Sequence, residues 1–111
     1  MDKELVDKYI VLPLAIKTFR DDAKIFKTFK MGKLYLDVVE ATIDKLIEDF
    51  YILKDELHHK YHLNIKKITP LKYSVNGILI KYTSKELKII KSKIMSEYLQ
   101  DVKARKRERL L

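Results

Sequence analysis

The sequence predicts an α+β fold: a long antiparallel αα-hairpin, then a β-hairpin from Leu71 to Tyr82, then a C-terminal helix packing back on the first two. Three observations carry this. Apolar residues recur at alternating spacings of three and four through the first half, an Asn-Gly pair separates two alternating apolar runs, and a capping signature opens the last segment.

In the first segment Leu5, Tyr9, Leu12, Ile16, Phe19, Ala23 and Phe26 form a heptad-like seam. Pro13 lies inside it. A mid-helix proline deletes a hydrogen bond and clashes with the preceding turn, so the helix either kinks or restarts there. The unbroken phase of the seam favours a kink. Lys30-Met31-Gly32-Lys33 then offers a break, with Gly32 suited to the left-handed conformation that commonly ends a helix.

The second seam is cleaner: Leu36, Val39, Ile43, Leu46, Phe50, Leu53 and Leu57, with the carboxylates Asp37, Glu40, Asp44, Glu48, Asp49 and Asp55 off it as solvated charge. A helix to about Tyr61 is expected, on the order of 40 Å long at the usual rise per residue. Two long helices joined by a short turn run antiparallel, seam against seam.

After Leu63 the period changes to two. Leu71 to Val75, Asn76-Gly77, and Ile78 to Tyr82 read as a two-residue hairpin with a type I′ turn. Pairing across the turn sets Val75 opposite Ile78, Tyr73 opposite Ile80 and Leu71 opposite Tyr82 on an apolar face, with Lys72 opposite Lys81 on the other. An isolated hairpin is only marginally stable, so the apolar face needs the helices, a third strand from Asn64 to Ile68, or a second copy of the chain.

Thr83-Ser84-Lys85-Glu86 forms a capping box, with Tyr82 and Leu87 placed as a hydrophobic staple. Leu87, Ile90, Ile94, Tyr98 and Val102 make the core stripe of the helix that follows. Beyond Val102 the stripe gives way to a basic run, so the last two turns are expected to protrude. With no linker in sight, residues 1–111 read as one domain: a helical hairpin (1–62), a β-hairpin region (63–83) and a C-terminal helix with a basic end (84–111).

The net charge of +8 is unevenly placed: the first 57 residues carry 10 Lys/Arg against 12 Asp/Glu, and the remainder 14 against 4. A positive second half attracts polyanions, such as nucleic acid, an anionic membrane face or an acidic protein, and of these nucleic acid or an acidic protein is expected. Of the basic residues 20 are Lys, a bias that an AT-rich genome also produces and that weakens the charge argument, because bidentate reading of phosphate or guanine favours the planar Arg fork over the Lys point charge. The absence of cysteine excludes a disulfide scaffold and a thiolate metal site. The apolar run Tyr9 to Ile16 is too short to span a membrane. A cytoplasmic protein is expected, or a virion component if the chain serves a phage.

Two clusters are candidate sites. Lys103, Arg105, Lys106, Arg107 and Arg109, joined by Lys72 and Lys81 and other lysines of the second half, offer phosphate contacts; the competing reading is a solvated helix end. Asp55, His58 and His62, at i, i+3 and i+7, offer a carboxylate and two imidazoles to a metal, although they supply no fourth ligand. Tyr73, Tyr82 and Tyr98 have the type that stacks on bases, but each sits on an apolar stripe and reads as core. Only two glycines are present, no phosphate-cradling loop appears, and Ser74, Ser84, Ser92 and Ser96 lack an activating context, so neither catalysis nor a cofactor is expected. The expected function is non-catalytic binding of nucleic acid or an acidic partner through the basic half. The alternative is a structural or assembly component, for example of a phage or mobile element, acting through the helix seams. A homo-oligomer is expected in either case.

Overall fold

The computed structural model describes residues 2–28 and 33–110, with side chains placed through residue 105. Helix α1 spans Lys3–Phe26, α2 Lys33–His59 and α3 Ser84–Leu110, and between α2 and α3 lie strands β1 (Ile65–Thr69), β2 (Lys72–Val75) and β3 (Ile78–Lys81). The fold is α+β, with the helical hairpin and the β-hairpin where the sequence places them. Gly32, proposed to end the first helix, lies outside the described residues.

Asp2 caps α1, its carboxylate accepting from the amides of Glu4 (3.1 Å) and Leu5 (3.3 Å). The helix continues through Pro13, which is exposed, so the lost hydrogen bond falls on the solvent side. The restart at Pro13 is excluded. Tyr9 stacks on Phe50 with ring centroids 5.3 Å apart, and Phe26 meets Tyr35 at 4.8 Å. The two pairs fix an antiparallel register in which facing residues of α1 and α2 sum to about 60.

Burial on α1 is wider than one seam. Val6, Ile10, Val11 and Ala15 are buried along with Leu12, Ile16, Phe19 and Ala23, whereas Leu5, Tyr9 and Phe26 are only half-buried. The reason is that α1 packs on both α2 and α3, so a single stripe underestimates its buried arc. On α2 the expected seam holds, with Leu36 and Phe50 half-buried and one addition, Thr42, which has no exposed surface. Its hydroxyl donates to the Val38 carbonyl at 2.7 Å, which satisfies the one polar group buried there.

The strands form an antiparallel meander in the order β1-β2-β3. The hairpin pairs as its turn dictates: Lys72 with Lys81, Tyr73 with Ile80, Ser74 with Leu79 and Val75 with Ile78. Asn76 at φ 51° and Gly77 at φ 85° both occupy the left-handed region a type I′ turn requires. The third strand is present, and Ile68 bulges out of its register with β2. Tyr73, Val75 and Tyr82 are buried against the helices, but Ile78 at the tip is 60% exposed, so the apolar face is covered only at its base.

Asn76 also ties the turn to the segment leaving α2. Its side chain accepts from the Asn64 amide (2.7 Å) and donates to the His62 carbonyl (3.1 Å). Thr83 accepts from the Glu86 amide at 3.0 Å, the hydroxyl half of the expected capping box, and Tyr82 and Leu87 are both buried as its staple.

Gly77→Val costs about 1–3 kcal/mol in urea unfolding. A Cβ there meets no atom within 4 Å, so the loss is backbone strain alone. Asn76→Gly keeps the turn and removes both side-chain bonds, which is expected to cost about 1–2 kcal/mol.

Candidate polyanion-binding surface

Alternation along β2 puts Lys72 and Ser74 on the face away from buried Tyr73 and Val75. Pairing adds Lys81 and Leu79 from β3 and Lys66 from β1, opposite Ser74. Lys66, Lys72 and Lys81 are all exposed, so the open face of the sheet carries three ammonium groups. Lys72 and Lys81 are directly opposite one another. Like charges in that position repel, and the repulsion is relieved by an anion between them.

Beside this face a cleft of about 370 Å³ opens between α1, α3 and the β1–β2 turn. Lys17, Lys88 and Lys91 line it, with Asp21 as a single carboxylate, and Leu71 and Ser84 sit at its edge. Leu71 directly precedes Lys72, and Ser84 follows Lys81 by three residues, so the cleft is lined by the chain next to both strand ends, with Leu71 on the helix-facing side of the sheet and Lys72 on the open side. None of the ion pairs among the described residues involves these six lysines; the pairs are Lys45–Asp49, His59–Asp55 and Arg105–Asp101.

The sequence groups Lys103 and Arg105 with Lys72 and Lys81, and the structure separates them. Nineteen helical steps separate Ser84 from Lys103, roughly 29 Å. Lys103 holds its ammonium 5.6 Å from the centre of the Tyr35 ring, and Arg105 pairs with Asp101 at 3.2 Å. Both are engaged within the chain. The side chains of Lys106, Arg107 and Arg109 lie outside the described residues.

Asp55, His58 and His62 do not share a helix face. Helix α2 ends at His59, and His62 takes a left-handed conformation (φ 53°) as the Leu63 amide reaches back to the Leu57 carbonyl. Histidine is among the side chains that tolerate this region, and once there it points off the helical period. Asp55 pairs instead with His59, at 3.2 Å, and among the described residues no three His, Asp or Glu side chains are placed to hold a metal ion.

The tyrosines are structural. Tyr82 donates its hydroxyl to Asp7, and Tyr98 donates to Asp49 at 2.6 Å, while Lys3 and Lys8 sit over the two rings at 5.8 Å. Burial raises both phenol pKa values well above the usual tyrosine range, and the hydrogen-bonded carboxylates raise them further. Burial alone raises that of Tyr73. The sequence reading missed the two aspartates as partners, because nothing local marks a carboxylate that meets a tyrosine 49 or 75 residues away.

Residues 1–77 match the family model described as YhjD protein. The chain belongs to that family. The match covers α1, α2, β1, β2 and the Asn76-Gly77 turn, and so takes in Lys17, Lys66 and Lys72 but not Lys81, Lys88 or Lys91. No curated protein and no solved structure matches the chain. No described helix is long and apolar enough to cross a membrane.

A raised phenol pKa makes stability fall with alkali. The unfolded tyrosine titrates near 10.0, so the extra stability is intact below that pH and is lost as the pH rises toward the folded value. Urea midpoints measured from pH 8 to 11 are expected to fall more steeply for the parent than for Tyr98→Phe.

Proposed function

We infer that this protein is a non-catalytic nucleic-acid-binding module whose contact surface is the open face of the sheet together with the adjoining cleft. The observation that carries this reading is the cross-strand Lys72–Lys81 pair, with Lys66 on the same face and no ion-pair partner for the three among the described residues. Three ammonium groups on the open sheet face, with Lys17, Lys88 and Lys91 along the cleft, supply counterion release on binding phosphate.

The surface favours sequence-independent contact with a duplex backbone. It is built from Lys, which meets phosphate as a point charge, and lacks the Arg fork that reads guanine. Tyr73 and Tyr82, the aromatics closest to it in sequence, are buried beneath the sheet and are not offered for base stacking. The non-catalytic part of the reading rests on the sequence, which has no cysteine and sets none of Ser74, Ser84, Ser92 and Ser96 in a nucleophile-elbow context. An acidic protein partner is the second reading, supported by the same charge. The basic end of α3 remains a further proposed contact, subordinate to the sheet because Lys103 and Arg105 are engaged within the chain.

Fluorescence anisotropy with duplex DNA and duplex RNA near 50 mM salt tests the assignment. Binding is expected, with a log–log salt slope that becomes shallower by about three to four units in Lys72→Ser/Lys81→Ser/Lys88→Ser/Lys91→Ser. Replacing Lys103, Arg105, Lys106, Arg107 and Arg109 with Ser is expected to change it less. The reverse ranking would move the site to the basic tail. Absence of binding by the parent at that salt concentration would exclude the nucleic-acid reading.

A further inference from the structure

A broader concavity lies elsewhere, on the face of the helical hairpin that α3 leaves open. Its volume is about 800 Å³, and among the described residues its lining comes from α1 and α2 alone. The floor is apolar, formed by Ile16, Ala23, Ile43, Ile47 and Phe50. The rims are charged with opposite sign: Lys17, Arg20, Lys24 and Lys27 along α1, interrupted by Asp21, and Glu40 and Asp44 along α2. No ion pair among the described residues crosses from one rim to the other.

We propose that this groove is a self-complementary interface on which a second copy of the chain docks to form an antiparallel four-helix bundle. The charge pattern selects its geometry. A two-fold axis in the interface plane and parallel to the helices carries the partner's α1 over α2 and preserves height along the bundle. Facing residues of the hairpin sum to about 60, the register set by Tyr9 with Phe50 and Phe26 with Tyr35. Arg20 of one copy then stands level with Glu40 of the other, and Lys17 with Asp44, each pairing occurring twice by symmetry. An axis perpendicular to the helices would stack α1 on α1, four cations against four cations, and is disfavoured.

The groove runs from Pro13 to Lys27 and from Glu40 to Tyr51, about 20 Å of helix at a width of roughly 20 Å, so it offers roughly 400 Å² per protomer as the centre of an interface that reaches the ~800 Å² of a specific dimer by extending along both helices. The molecule is thin across one axis, 49 × 28 × 17 Å, so this layer has a broad uncovered side. The proposal does not depend on polyanion binding: Arg20, Lys24, Glu40 and Asp44 take no part in that surface, and Lys17, which lines both concavities, is left unchanged in every variant.

Light scattering and sedimentation on the full chain test it. The parent is expected to be dimeric at high micromolar concentration. Arg20→Glu/Lys24→Glu and Glu40→Lys/Asp44→Lys each place like charges across the interface, and each is expected to raise the dimer dissociation constant by at least about 100-fold. Mixing the two variants restores opposite charges on both sides, so the mixture is expected to dimerise again, which also shows that both remain folded. Because the chain has no cysteine, Arg20→Cys and Glu40→Cys report geometry directly: mixed under oxidation they are expected to cross-link to each other, while Arg20→Cys alone does not. A strictly monomeric parent overturns the proposal. So do dimers indifferent to both charge reversals, or mixtures in which dimers fail to return.

Discussion

The structure depends on burying α1 on more than one side. Val6, Val11, Leu12 and Ala15 have no exposed surface, and they point in directions too spread for a single partner to cover. The helix therefore needs α2 along one side and α3 along another, and its N-terminal end also receives Tyr82 from the end of the sheet. In so short a chain this arrangement concentrates the apolar area around one central element. The outer helices then bury narrower stripes and leave much of their circumference to charge. Pro13 fits because it occupies the exposed side of α1, where the unpaired carbonyl behind it can meet water.

Two long-range bonds attach the basic second half to this scaffold. Tyr82 to Asp7 anchors the base of the hairpin on the start of α1, and Tyr98 to Asp49 anchors the middle of α3 on α2. A partly buried carboxylate is costly unless it accepts a hydrogen bond, and a partly buried hydroxyl is costly unless it donates one. The pairs meet both needs, and among the described residues no buried side-chain polar atom is left without a partner.

The two proposed contact surfaces differ in character. The sheet end is mostly cationic, with Asp21 as one carboxylate in its cleft, a pattern suited to a charged polymer read through its backbone. The α1/α2 groove carries both signs around an apolar floor, suited to a partner with the same pattern in reverse order, which a two-fold copy supplies. Lys17 and Asp21 lie on the border between them, lining both concavities. A dimer built on the groove would display two sheet ends, and linked sites raise avidity without any new contact.

The sequence by itself determined the element order, the second seam, the cap of α3 and the hairpin register down to Lys72 opposite Lys81. Each of these follows from residues close together in the chain, through side-chain periodicity, turn stereochemistry or a hydroxyl three residues from an amide. Only the tertiary structure decided the rest. It gave α1 a second buried side, turned His62 out of the helix that would have set it beside Asp55 and His58, paired Asp7 and Asp49 with distant tyrosines, and put roughly 29 Å of helix between two lysine clusters that sequence had grouped. Charge composition states how many ammonium groups a chain carries. Where they converge depends on which distant segments pack together, and no local period encodes that.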